Sequence, residues 1–187
     1  TDILTPLPVV DAPELHLEHD HEADLPDLSA HVWIHMLGRP SLTPLSGAQP
    51  PEQRGPLLTE LAVLLSIHAD TGISHTDVDA KIWPKSKIDK IRDDHERNTK
   101  KARRRNEAFS RLRSWLGATA AGDEAFPKVG DRSGRAKYRL HPDVVSDWDR
   151  WHLLLNDHPA HTSTPRLAAA VDLVTGQPLS GVSPARY

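Results

Sequence analysis

The sequence predicts an α+β chain built on a winged helix-turn-helix: a short N-terminal strand pair, three helices and a C-terminal β-hairpin wing, with irregular flanking segments. Three observations predict it. Hydropathy runs in the order strand, apolar helix, short helix, long basic helix, hairpin. The long helix is apolar on one side and basic on the other. Charge is also segregated along the chain, so that a net charge of −3 conceals an acidic and a basic region.

The run His31 to Leu37 partly alternates polar and apolar residues and ends at Gly38, which reads as a strand, with Ser41 to Leu45 as its short partner. Gly47 to Pro56 is a Pro/Gly loop. Leu57 to His68 has Leu, Ala and Ile around most of its circumference and is expected to be the central, buried helix. A second helix starts after Ser74, with Asp77 three residues on as a near-match to a capping box, and stops at Trp83-Pro84. Residues 85–96 are polar and ambiguous. From about Asn98, with Asn98 or Thr99 as N-cap, a third helix runs to Leu116 and closes on Gly117. Phe126 to Val129 and Ala136 to Leu140 flank a Gly-rich basic stretch and read as a hairpin. Asp147 is expected to cap a short helix, Trp148 to Leu155, and Arg166 to Val174 to start another.

These elements divide the chain into an acidic disordered tail (1–30), a DNA-binding domain (31–156), a linker (157–165) and a C-terminal piece (166–187). The tail carries eight acids and no Lys or Arg, whereas 81–113 holds more than half of the chain's Lys and Arg. At 100° per residue, Ala102, Phe109, Leu112 and Leu116 share one face of the third helix, and Lys100, Arg103, Arg104, Glu107, Arg111 and Ser114 lie opposite. Apolar packing on one side and guanidinium groups on the other suit a helix seated in the major groove, where Arg pairs with guanine edges or phosphate and Glu107 accepts from a cytosine amino group. Arg132, Arg135 and Lys137 on the wing are expected on backbone or minor groove. Arg105 falls on the core face, so either the helix is unpacked before Asn106 or this side chain snorkels outward. The competing readings are a solvated basic helix, a basic hairpin that only keeps a sheet edge soluble, and a winged-helix module that docks protein instead of DNA.

No cysteine is present, which excludes disulfides, thiolate metal sites and cysteine nucleophiles. There is no Gly-rich phosphate loop and no nucleophile elbow, so no enzyme, cofactor or metal is expected. His16 to Glu22 are suitable metal ligands, but the segment lacks fixed helical spacing and reads as acidic tail. The longest apolar stretch, around Leu57 to Ile67, is far short of the ~18–20 residues that span a bilayer, and a cytoplasmic location is expected.

The stretch Val32 to Gly38, the helix Leu57 to His68, the Ile82-Trp83-Pro84 ending and the run Ser110 to Gly117 resemble the actinobacterial antibiotic-regulatory proteins, whose N-terminal domain is an OmpR-type winged helix. Tyr138-Arg139-Leu140 and Val145 to Asp149 match the end of the wing and the helix after it. Gly176 to Val182 looks like the start of the helical bacterial transcriptional activator domain, which makes 166–187 a truncated first piece of it. The resemblance implies sequence-specific binding of double-stranded DNA by a transcriptional regulator, often as a homodimer on direct repeats, and contact with RNA polymerase. Lys85 to Lys101 is longer and more polar than that family's usual turn between its second and third helices.

Overall fold

The computed structural model describes residues 31–84, 86–130, 137–155 and 162–182. The fold is mixed α+β. Among the described residues are β1 (Val32–His35), β2 (Ser41–Thr43), α1 (Gly55–Ile67), β3 (Ile73–Ser74), α2 (His75–Ile82), α3 (Asp94–Leu116), β4 (Lys137–Tyr138), β5 (Val144–Ser146), α4 (Asp147–Leu155) and α5 (Thr164–Asp172), with a 3-10 turn at Lys87–Lys90.

The centre is α1. Leu58, Leu61, Ala62, Val63, Leu64 and Leu65 are fully buried in it, which follows from an apolar circumference that no single face could cover. Around it pack α2 through Val78 and Ile82, and α3 through Ala108, Phe109, Leu112, Trp115 and Leu116. A three-stranded sheet, ordered β2-β1-β5, closes another side. In β1, Val32 and Ile34 are buried while Trp33 and His35 lie on the other face, as the period-2 pattern requires. β2 pairs with β1 antiparallel, as expected, and β5 pairs with it in parallel.

Several boundaries and one element differ from expectation. The third helix begins at Asp94, a turn before Asn98. Asp93 is the N-cap: its carboxylate accepts the Glu96 N–H at 2.6 Å, so neither Asn98 nor Thr99 serves. Gly117 does close that helix, at φ +70°, with its N–H on Arg113 O at 2.8 Å. The expected hairpin is not formed from 126–129. Phe126 is fully buried edge-on against Phe109, so this stretch follows the core and forms no strand. β4 pairs instead with β3, Ile73 opposite Tyr138 and Ser74 opposite Lys137. That crossing runs close past Gly72, where a Cβ would stand 2.7 Å from Lys137 Cβ. Residues 131–136, with Arg132 and Arg135, lie outside the described residues, as do 1–30 and the expected linker apart from its last residues.

The helix after β5 is also capped differently. Ser146 and Asp149 form a reciprocal box: the Ser146 N–H donates to Asp149 Oδ2 at 2.9 Å and the Asp149 N–H to Ser146 Oγ at 3.1 Å. Asp147, expected as the cap, turns inward and is buried. It accepts the Met36 N–H at 2.9 Å and the Leu37 N–H at 3.0 Å, which ties the end of β1 to α4. The described part of the C-terminal piece docks on the same end. Its Thr175, Leu179 and Ser180 N–H groups donate to Leu37 O, Met36 O and Gly38 O at 2.8, 2.9 and 3.1 Å. Beside it α4 and α5 share a small second core of Leu154, Leu155 and Ala170.

Candidate nucleic-acid interface

Most of the candidate residues fall on α3, and that helix divides lengthwise. Its C-terminal half is held by apolar packing: Phe109 meets Phe126 and Tyr138 edge-on, with ring centroids 5.2 and 4.5 Å apart. Its N-terminal half is held by polar contacts. Arg105 does not snorkel, and the helix is not unpacked there. Its Nη1 donates to Asp79 Oδ2 of α2 at 2.6 Å, and both side chains are about nine-tenths buried. Burial pushes the Asp79 carboxyl above its ordinary value, against the pull first of Arg105 and then of Arg104 and Lys101.

Opposite the core the expected row is brought together along one exposed side: Lys100, Arg103, Glu107, Arg111 and Ser114. Several of these already have partners. Lys100 Nζ is 2.6 Å from Glu96, and Arg111 Nη2 donates to Glu107 Oε1 at 2.7 Å. Both pairs put the acid four residues before the base, the favourable sense on a helix, and both are exposed and weak. Arg54, ahead of α1, lies 3.5 Å from the same Glu107 oxygen. Ser114 Oγ donates to Ser110 O at 3.1 Å. Arg103 is exposed and makes no ion pair with a described residue.

Arg104 stands apart from this row. It is half-buried, its Nη1 donates to Ser86 Oγ at 2.6 Å, and its guanidinium lies 4.4 Å over the Trp83 ring. Burial lowers its pKa, with Asp79 and Asp89 pulling the other way. Its contacts join α3 to the end of α2 and are not presented outward. Lys137 is exposed in β4. Its neighbour Tyr138 packs inward on Phe109, so β4 is fastened to the same helix.

The residues that sequence reasoning missed are Asp79, Ser86, Asp89 and Arg54. Asp79 had a signal. It shares the α2 face of Val78 and Ile82, and an acid on one core face with an arginine on the next suggests a pair. Arg113 was also missed: its Nε donates to Phe126 O at 2.9 Å and its guanidinium covers that ring.

Among the described residues no cluster of His, Asp or Glu could hold a metal ion, and no helix is long and apolar enough to cross a membrane. The His16 to Glu22 stretch lies outside the described residues. No family model, no curated protein and no solved structure matches the chain.

Proposed function

We propose that this protein is a transcriptional regulator that binds double-stranded DNA sequence-specifically, with α3 in the major groove. One observation carries the reading. The side of α3 opposite Phe109, Leu112 and Leu116 is exposed and bears Lys100, Arg103, Glu107, Arg111 and Ser114, side chains able to hydrogen-bond base edges or phosphate. The element order supports it. α2 and α3 both rest on α1, and the chain after α3 returns to pair β4 with β3, between α1 and α2. That order is compatible with a winged helix, the reading under which Arg132, Arg135 and Lys137 would meet backbone or minor groove. The resemblance to antibiotic-regulatory proteins points the same way. It adds a homodimer on repeated sites and contact with RNA polymerase. Nothing in the site calls for catalysis. The pairs Glu96–Lys100 and Glu107–Arg111 temper the field of the row, so binding depends on those pairs opening toward base and phosphate.

The test is selection from a random duplex library combined with a salt titration. The expected outcome is one enriched sequence and, for about five phosphates contacted, a slope of log K against log salt of roughly −4 to −5. Arg111→Ala should then cost about 1–3 kcal/mol on the selected site and less on random duplex. No enrichment, or a flat salt response, would overturn the reading.

A second reading has its own observation. Trp148 is 44% exposed and Ile67 46% exposed beside a cleft of about 490 Å³ between the end of α1, the start of α4 and Pro178-Leu179. A protein partner would find its apolar contacts there. Retention of a partner by a protein that ignores duplex DNA would favour it.

A further inference from the structure

Between α2 and α3 the chain builds a platform out of residues that read only as polar and ambiguous in sequence. Ser86 caps the 3-10 turn Lys87–Lys90, its Oγ accepting the Ile88 N–H at 3.2 Å. Three side chains from one flank of α3 hold that turn in place. Arg97 Nη1 donates to Ile91 O at 2.9 Å, Lys101 Nζ pairs with Asp89 at 2.5 Å, and Arg104 donates to Ser86. The bond from Lys101 keeps the Asp89 carboxyl below its ordinary value.

This scaffolding decides which charges remain free. Asp89 is taken by Lys101, Asp94 by Arg97, Glu96 by Lys100, and Asp93 caps α3. Lys87, Lys90 and Arg92 are exposed, and none forms an ion pair with a described residue. In a 3-10 turn, side chains three apart eclipse one another, so Lys87 and Lys90 stand on one face about 6 Å apart. Phosphates follow each other every ~3.4 Å of axis along one strand. Two flexible lysine stems about 6 Å apart can reach phosphates one or two steps apart on one strand.

We propose that this platform is a second cationic contact, in which Lys87 and Lys90, flanked by Arg92, bind the phosphate backbone of duplex DNA beside the stretch met by α3. The proposal rests on the reading of α3 as the groove helix. Phosphate is favoured over an acidic protein surface because the platform exposes no apolar anchor. Ile88 and Ile91 are half-buried, and Trp83 lies under Arg104. Protein interfaces take most of their energy from such anchors. Lysine is a point charge on a flexible stem, suited to phosphate and poorly suited to reading base edges. The platform therefore adds affinity without sequence preference.

The test compares the intact chain with Lys87→Ala/Lys90→Ala on the selected duplex and on a random one, across a salt series. The expected result is a slope about two units shallower and binding roughly tenfold or more weaker at about 0.1 M salt. The loss should be equal on both duplexes, with the selected sequence unchanged. Lys87→Arg/Lys90→Arg should keep the parent slope. Both positions are exposed, so a thermal melt should match the parent. If the parent binds and the Ala variant binds with the same slope and affinity, the platform proposal falls and the α3 reading stands. An altered selected sequence would overturn it in favour of base reading. A parent that ignores duplex DNA at low salt would bring down both.

Discussion

The two halves of α3 are held in place by different physics. From Ala108 to Leu116 the contacts are close-packed rings and aliphatic groups, nearly all fully buried. From Arg97 to Arg105 they are four cationic side chains reaching Ile91 O, Asp89, Ser86 and Asp79. The difference teaches that a basic run is not a uniform surface. Arg97, Lys101, Arg104, Arg105 and Arg113 fix the helix in place, while Lys100, Arg103 and Arg111 stay on its exposed side.

The strongest way to break this comparison is on the apolar side. Phe109→Ala should cost about 3–5 kcal/mol, read from the denaturant midpoint, because Phe126 and Tyr138 both lose their ring partner. A cost below about 1 kcal/mol would mean that the polar half alone carries the helix.

The next largest effect is on the ionic side. Asp79→Leu leaves Arg105 buried without its partner and should cost about 3 kcal/mol. Asp79→Leu/Arg105→Met removes both charges and should recover most of that loss. Equal costs in the single and double variants would show that the pair is not coupled.

The smallest effect sharpens the contrast through pH. Because burial raises the folded-state pKa of Asp79, the folded chain holds that proton more tightly than the unfolded chain does. Stability from this group is thus fully present below the ordinary carboxylate value near 3.8 and declines as pH rises through the folded pKa. Asp79→Asn should remove the decline. The stability difference between parent and variant should then move against the parent from about pH 4 upward, by at most ~1.4 kcal/mol per unit. A difference that is flat with pH, or that favours the parent as pH rises, would show that Arg105 outweighs burial.

What was legible in sequence follows from these forces. The apolar half of α3, the buried α1 and the Ser74 start of α2 announce themselves by period and cap. Ser74 Oγ does accept the Asp77 N–H, at 3.2 Å. The polar half does not. Arg97, Lys101 and Arg104 gain their meaning only from a turn whose position depends on α3 itself, so sequence pattern alone places the helix start a turn late. The hairpin failed for a related reason. Phe126 and Val129 have strand composition, but Phe109 claims Phe126, and the strand that β4 needs is supplied from residues 73–74. Of the outward row, Lys100, Arg103, Glu107, Arg111 and Ser114 lie where the helical period puts them. Arg104, at the edge of that arc, is drawn under by Trp83.

The parallel pairing of β1 with β5 has a kinetic consequence. Val32 lies opposite Val144, so this short contact closes a loop holding β2, α1, β3, α2, α3 and β4. Closing so long a loop carries an entropy penalty that local contacts do not, and a pair only three residues deep repays little of it alone. The joint should therefore form late, after the helices have gathered the chain, with the Asp147 carboxylate on the Met36 and Leu37 amides as its latch. A newly made chain would hold its helical layer together before the clasp snaps shut, and in that interval β1 would present the edge that β5 later covers to any strand that met it.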